Sequence, residues 1–144
     1  MIVVDVNVIV YLLTDTPQRE LARRVRACDG DWLVPPLWRH EMLNVLATLT
    51  RQDVLDGSAA LTVWRNAVGL LGTREQQPNM EQALSLAIEK RISAYDAQYV
   101  ALAAALGVQL ISEDKKLQRQ LSEWVISMAG FTDRMPGSSG KGCQ

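Results

Sequence analysis

The sequence contains only two cysteines and one histidine among its 144 residues. Cys28 and Cys143 stand far apart, without the spacing that is typical of a zinc site or of a disulfide framework. These two absences argue against a zinc-stabilised domain and against a small secreted disulfide scaffold. We therefore expect the protein to work in the reducing environment of the cytoplasm.

Net charge and long apolar runs are scarce as well. The formal net charge of −1 provides no global attraction to nucleic acid or to an anionic membrane, so a polyanion would have to be bound by a local patch. The apolar segment at 99–108 is much shorter than the roughly eighteen residues that a membrane span needs. The apolar start, MIVVDVNVIVYLL, has no basic segment before it and is interrupted by Asp5 and Asn7, which argues against a signal peptide. We expect no membrane association.

The hydrophobic content of 48% is sufficient for one compact core. We predict a single domain over residues 1–133. The segment that follows, RMPGSSGKGCQ at 134–144, is rich in glycine and serine and is predicted to be a disordered tail. Its GSSGK stretch lacks the spacing of a phosphate-binding loop and follows no strand.

Strand patterns alternate with helix patterns along the domain. The predicted strands lie at 1–4, 31–36, weakly within 70–76, at 108–112 and, as an edge strand, at 123–127. The first predicted helix begins at residue 8, and the others cover residues 18–30, 37–51, 57–71, 79–91, 93–107 and 114–121. This alternation predicts an α/β fold with a central, mostly parallel sheet of four or five strands and helices on both faces.

Four acidic residues occupy unusual positions. Some lie at strand ends, which a parallel sheet brings close together, and one lies on an apolar face where a surface charge is not expected. Asp5 ends the first strand, Asp114 follows the strand at 108–112, and Asp96 lies near a helix start. Glu41 lies within an apolar helical face. Ligands bind at the carboxyl ends of strands in an open α/β sheet, so Asp5 and Asp114 are candidate site residues.

Helix capping is the competing explanation for three of these acids. Asp5 and Asp114 each precede a predicted helix, and Ser93 with Asp96 matches a capping box. Taken singly, capping is the simpler account of Asp96 and Asp114. Glu41 resists it because Leu37 and Val45 lie one turn away on either side.

If the four carboxylates converge, they repel one another unless a cation lies among them. Mg²⁺ and Mn²⁺ prefer oxygen ligands, so the residue types favour such a hard divalent ion over zinc. Asn7 and Ser112, small polar residues beside Asp5 and Asp114, could orient the carboxylates or satisfy backbone groups.

Four segments, in this order and spacing, carry a resemblance to a known family: VVDVNVIVYLL, HEMLNVL, SAYDAQYVALA and LISEDKKL. They resemble the PIN-domain ribonucleases, especially VapC-type toxins of type II toxin–antitoxin pairs, over residues 1–127. The resemblance implies a PIN-like three-layer sandwich and an endoribonuclease that depends on Mg²⁺ or Mn²⁺. It places the acidic metal-binding and catalytic quartet on Asp5, Glu41, Asp96 and Asp114, with Asn7 and Ser112 supporting it.

The resemblance also implies an RNA substrate, products with a 5′-phosphate and a 3′-hydroxyl, a cognate antitoxin and a homodimer. Candidate contacts to the RNA backbone are the cations that flank two of the acids: Arg39, His40, Lys115 and Lys116. Each of these could equally be an ordinary solvated side chain. Glu113 is expected to be exposed and not to be a fifth ligand.

Two other classes of function stay open at this point. A phosphotransfer domain also places an aspartate at a strand end, but Asp5 and Asn7 lack the second aspartate of haloacid-dehalogenase phosphatases. A non-catalytic α/β binding module would use every acid as a cap. That alternative predicts that divalent metal leaves the melting temperature unchanged.

Overall fold

A parallel sheet of four short strands organises residues 1–135, which are the residues that the computed structural model describes. The strands are β1 (Ile2–Val4), β2 (Trp32–Leu33), β3 (Leu110–Ile111) and β4 (Val125–Ile126). Their order across the sheet is β2-β1-β3-β4, and every pair is parallel. Strand β2 pairs with one edge of β1, and β3, which comes later in the chain, pairs with the other edge. The strand order therefore reverses between β1 and β3, the position at which open α/β sheets bind ligands.

Eight helices connect and flank these strands within residues 1–135. They are α1 (Val6–Leu13), α2 (Arg19–Cys28), α3 (Trp38–Arg51), α4 (Gly57–Leu71), α5 (Met80–Lys90), α6 (Ala94–Leu106), α7 (Lys115–Gln120) and α8 (Met128–Arg134). Six of them begin at a side chain that accepts a hydrogen bond from a backbone N–H of the first turn: Asp5, Asp56, Asn79, Ser93, Asp114 and Ser127.

The alternation of side chains along the strands divides the core into two layers. Ile2, Val4 and Ile111 pack in one cluster with the buried faces of α1, α2, α3, α4 and α8. Val3 and Leu110 point to the opposite face and pack against α6 and α7, while α5 packs on α6. Both faces of the strands are thus buried, as expected for a parallel sheet. The predicted three-layer arrangement is confirmed.

The predicted strand within 70–76 is wrong. Helix α4 continues to Leu71, and the segment contributes one isolated parallel bridge, between Val34 and Glu75. Backbone hydrogen bonds join Val34 to Arg74 and Gln76, and the Glu75 carboxylate accepts hydrogen bonds from the side chains of Trp38 and Arg39. The sheet consequently has four strands among the described residues.

Helix α8 was not predicted from the sequence. Its first backbone N–H, that of Met128, donates to the Glu113 carboxylate at 2.6 Å, and Phe131 packs into the same core cluster as α2. The helix ends at Arg134, one residue beyond the predicted domain limit. Residues 136–144, with most of the predicted tail and Cys143, lie outside the described residues. Within residues 1–135, no helix has both the length and the apolar character needed to cross a membrane.

Candidate active site

The four acidic residues line one small cavity at the carboxyl ends of β1 and β3. Its volume is about 100 Å³. Its walls include all six residues predicted as the quartet and its supports: Asp5, Asn7, Glu41, Asp96, Ser112 and Asp114. The walls also include Tyr99, which sequence reasoning missed. Residues from four helix starts and two strand ends are therefore brought together, although they are up to 109 positions apart.

Asp5 lies where β1 passes into α1. One of its carboxylate oxygens accepts a hydrogen bond from the Val8 backbone N–H at 3.1 Å, which caps α1. Burial raises the pKa of Asp5 to about 6, against hydrogen bonds from the Ser112 side chain and from the backbone of Val8 and Asn7 that lower it. The charge of Asp96 raises this pKa further. The protein thus holds a carboxylate where its charged form is disfavoured.

Asp114 and Ser112 follow β3, the strand that pairs directly with β1. The Asp114 carboxylate accepts from the Leu117 backbone N–H at 3.0 Å and caps α7. The Ser112 hydroxyl accepts from the Asp114 backbone N–H at 3.1 Å and also bonds Asp5. Ser112 is fully buried, so it ties the two strand ends together from inside the fold.

Glu41 reaches the cavity from the first turn of α3, and its position is supported by Tyr99 of α6. The Tyr99 hydroxyl donates to a Glu41 carboxylate oxygen at 2.7 Å. Burial raises the pKa of Glu41, and the bond from Tyr99 counteracts this. Burial and the charge of Glu41 likewise raise the pKa of Tyr99. Tyr99 follows Asp96 by three residues, and this helical spacing was the signal that could have placed both on the cavity.

Asp96 enters the cavity from the first turn of α6. Its backbone N–H donates to the Ser93 hydroxyl at 3.0 Å, so Ser93 is the cap of α6 and Asp96 is not. Burial raises the pKa of Asp96, and the charge of Asp114 raises it too, whereas Ser93 and the Lys116 ammonium lower it. The charge of Asp96 in turn raises the pKa values of Asp5 and Glu41. The carboxylates are therefore close enough to repel one another.

The donor set of the cavity fits a hard divalent cation. Its polar side chains offer carboxylate, amide, hydroxyl and phenol oxygens, and among residues 1–135 no lysine, arginine or histidine lines it. Burial, and to a smaller extent mutual repulsion, raises the pKa values of Asp5, Glu41 and Asp96, and a bound cation would offset both effects. Even so, within residues 1–135 no three His, Cys, Asp or Glu side chains are arranged as a closed metal-binding cluster. The acids line a common space without forming a compact cage.

The cations predicted to contact RNA have different surroundings. His40 and both lysines are exposed, with Lys115 and Lys116 in the first turn of α7. The Arg39 guanidinium forms an ion pair with Glu75 and lies over the Trp38 ring, 5.5 Å from its centroid. Arg39 therefore already has an intramolecular partner. Glu113 is partly buried rather than exposed, because its carboxylate accepts from the start of α8.

The sequence profile of the PIN domain matches residues 2–121 of this chain. Over 121 residues the chain is 36% identical to a VapC ribonuclease of Mycobacterium bovis and to ribonuclease VapC9 of Mycobacterium tuberculosis strain H37Rv. Each alignment covers 81% of this chain and 88% of the relative.

Two solved structures have the same fold. The crystal structure of PAE2754 from Pyrobaculum aerophilum has a TM-score of 0.69 at 20% identity, covering 90% of this chain and 92% of the other. That of FitAcB from Neisseria gonorrhoeae has a TM-score of 0.64 at 20% identity, covering 90% and 99%. The predicted resemblance is confirmed, and the chain belongs to the PIN-domain family, with VapC ribonucleases among its relatives.

Proposed function

We propose that this PIN-domain protein is a metal-dependent endoribonuclease and the toxin of a type II toxin–antitoxin pair. The observation that carries the proposal is the convergence of four carboxylates, from separate elements, on one cavity at the β1 and β3 strand ends. The names of its VapC ribonuclease relatives support an RNA substrate. Helix capping competes less than the sequence suggested, because a carboxylate has two oxygens and each cap uses one of them.

Asp5, Glu41, Asp96 and Asp114 would hold Mg²⁺ or Mn²⁺. When bound, such an ion lowers the pKa of water and offsets the charge that develops on the attacked phosphate. The surrounding residues fix the carboxylates for this role: Ser112 bonds Asp5, and Tyr99 bonds Glu41. Hydrolysis by water would leave a 5′-phosphate and a 3′-hydroxyl.

Backbone contacts to the RNA are proposed for His40, Lys115 and Lys116, with Arg39 contributing if it exchanges its Glu75 partner for a phosphate. Lys116 already lowers the pKa of Asp96, so its ammonium acts at the edge of the cavity. In the cytoplasm, a cognate antitoxin would bind the protein and cover the cavity. A homodimer is proposed on the family resemblance.

An RNA cleavage assay with and without divalent metal tests the nuclease activity. Asp96→Asn removes a carboxylate that is not a helix cap, and it should reduce cleavage at least about 100-fold. The matched control is Asp56→Asn, the same change at the exposed cap of α4, which should cut normally. Cleavage that is unaffected by Asp96→Asn, or that persists when metal is chelated, contradicts the proposal.

The toxin role requires a separate experiment in cells. Induced expression of the wild-type chain should slow growth, and Asp96→Asn should not. A short reading frame immediately upstream of the gene is the candidate antitoxin, and its co-expression should restore growth. Growth arrest that persists with Asp96→Asn would mean that toxicity does not depend on cleavage.

A further inference from the structure

A second, larger cavity opens directly beside the small cavity that the four carboxylates line, which we call the acidic cavity. The volume of the second cavity is about 460 Å³, and Val6, Asn7 and Glu41 line both cavities. The residues that belong to it alone are Leu37, His40, Asn44, Val45 and Tyr95. A group bound in this space would therefore lie next to whatever occupies the acidic cavity.

One face of α3 and the start of α6 supply the walls. Glu41, Asn44 and Val45 follow one another at helical spacing along α3, so one helix face carries an acid, an amide and an apolar side chain. Tyr95 comes from the first turn of α6 and is 61% exposed. Asp96, the next residue, faces the acidic cavity. Tyr95 thus presents an exposed aromatic ring on the wall of the second cavity, and its neighbour in sequence lines the first.

The charges of this cavity favour a neutral ligand over an anion. Glu41 is acidic, and among residues 1–135 His40 is the only basic side chain that lines the cavity. A phosphate inside the cavity would meet the Glu41 carboxylate, whereas the exposed His40 can contact a phosphate of the RNA backbone outside it. A planar, uncharged heterocycle fits better, because the Val6, Leu37 and Val45 side chains are apolar and the Asn7 and Asn44 amides each offer donors and an acceptor.

We propose that this cavity binds one unpaired nucleobase of the RNA substrate, adjacent to the scissile phosphate, with Tyr95 stacking on the base. Asn44 and Asn7 are placed to hydrogen-bond the edge of the base. Proteins recognise single-stranded RNA by this combination of aromatic stacking and contacts to base edges. The inference rests on the proposed nuclease function, and it makes Tyr95 and Asn44 specificity-determining residues.

Scanning a short single-stranded RNA substrate with abasic nucleotides tests the subsite. With the wild-type protein, an abasic nucleotide at one position beside the cleaved bond should lower kcat/KM about tenfold, the loss expected for one stacked base. With Tyr95→Ala, the intact RNA should already be cut about tenfold more slowly, and the same abasic nucleotide should cause no further loss. An abasic effect of equal size in wild type and Tyr95→Ala overturns the proposal.

Two variants control for nonspecific effects. Tyr95→Phe keeps the aromatic ring and should retain the abasic effect that Tyr95→Ala loses. Leu61→Ala truncates another exposed side chain, 55% exposed, in a cavity between α3 and α4. None of the described residues lines both that cavity and the acidic cavity. Leu61→Ala should behave as wild type. A Tyr95→Phe protein as impaired as Tyr95→Ala would also overturn the stacking role.

A binding series separates this proposal from the nuclease proposal. Asp114→Asn, which alters the acidic cavity and not the second one, provides an inactive background in which RNA binding is measured by fluorescence anisotropy. Adding Tyr95→Ala should weaken binding of the intact RNA about tenfold and leave binding of the abasic RNA unchanged. If the wild-type protein cuts no RNA but the binding series gives this result, the nuclease proposal is wrong and the base-binding proposal is supported. RNA binding that does not depend on Tyr95 overturns the base-binding proposal. The same holds if Tyr95→Ala weakens binding of the antitoxin but not of the RNA.

Discussion

Asp5 lies in surroundings that disfavour its charge, and this links stability to the proposed chemistry at the scale of a single residue. Its position at the end of β1 removes water from the carboxylate, while Ser112 and two backbone N–H groups compensate only in part. The competition between burial and these bonds leaves a pKa of about 6 instead of the ordinary 3.8. The metal-free protein therefore carries a cost at neutral pH that a cation could relieve.

Asp5→Asn should stabilise the metal-free protein at pH 8. The folded protein binds the Asp5 proton more tightly than the unfolded chain does, so the free energy of unfolding falls as pH rises from about 4 to about 6. Asn removes the charge and still offers an oxygen to cap α1, so the variant should gain up to about 3 kcal/mol at pH 8 and little at pH 4.

Urea denaturation in the presence of a chelator, at both pH values, measures this difference. Asp56→Asn makes the same chemical change at the exposed cap of α4 and should show a much smaller pH effect. If the difference in free energy of unfolding between Asp5→Asn and wild type is the same at pH 4 and pH 8, the expectation is contradicted.

Tyr99→Phe should weaken metal binding without removing any proposed ligand. The hydroxyl holds a Glu41 oxygen at 2.7 Å, and loss of such an outer partner typically reduces metal affinity about tenfold or more. Calorimetric titration with Mn²⁺ measures the effect. Tyr95→Phe, the same change on the exposed tyrosine of α6, should leave metal affinity unchanged. Equal affinities of wild type and Tyr99→Phe would show that Tyr99 does not position Glu41.

At the scale of elements, helix starts both build the fold and carry the site. Asp5 caps α1, Ser93 caps α6 one turn before Asp96, and Asp114 caps α7. A helix N-terminus carries partial positive charge from its unpaired N–H groups, which favours nearby carboxylates. The helices therefore help to hold the acids that would otherwise repel one another.

Substitutions at Asp114 should separate capping from catalysis. Asp114→Asn keeps an oxygen for the Leu117 N–H and should leave stability nearly unchanged while abolishing most RNA cleavage. Asp114→Ala should abolish cleavage and also cost about 1 kcal/mol of stability. Urea denaturation and the cleavage assay together give both values. An active Asp114→Asn protein would show that Asp114 is only a cap.

At the scale of the whole molecule, the parallel sheet is what makes one cavity from distant residues. The pairing of β1 with β3 brings Asp5 and Ser112 together, and packing of α3 and α6 around this edge adds Glu41 and Asp96. Each carboxylate comes from a different element, so a metal ion bound there would stabilise the assembled fold and not any single segment.

Divalent metal should accordingly raise the melting temperature of the wild-type protein. At about 100 times the dissociation constant, mass action adds about 2.7 kcal/mol, which corresponds to roughly 5 to 10 °C. Asp96→Asn should lose most of this shift, whereas Asp56→Asn should keep it. A thermal-shift titration with Mg²⁺ and Mn²⁺ measures the effect. A melting temperature that metal leaves unchanged would favour the non-catalytic binding module.

Much of the fold was predictable because the signals for it are local. The apolar β-branched run before Asp5, the caps at Ser93 and Asp114, and the glycine after α6 mark where elements begin and end. Gly107 takes the left-handed conformation with φ of +65°, as a helix stop requires. The strand predicted within 70–76 was wrong because an apolar helix end was mistaken for a strand. Helix α8 was missed although Ser127 caps it locally, because the helix is only seven residues long and the segment before it was interpreted as an edge strand.

The sequence by itself determined which residues could serve the site: buried strands ending in Asp5 and Ser112, and an acid inside the apolar face of α3. Only the tertiary structure decided which of these side chains meet. The Tyr99 bond to Glu41 joins residues 58 positions apart, and the pairing of Arg39 with Glu75 joins residues 36 positions apart. The two cavities meet because Val6, Asn7 and Glu41 line both of them. Local periodicity sets the faces of helices and strands, but strand order and packing angle choose their partners. Those choices depend on burying the whole core at once.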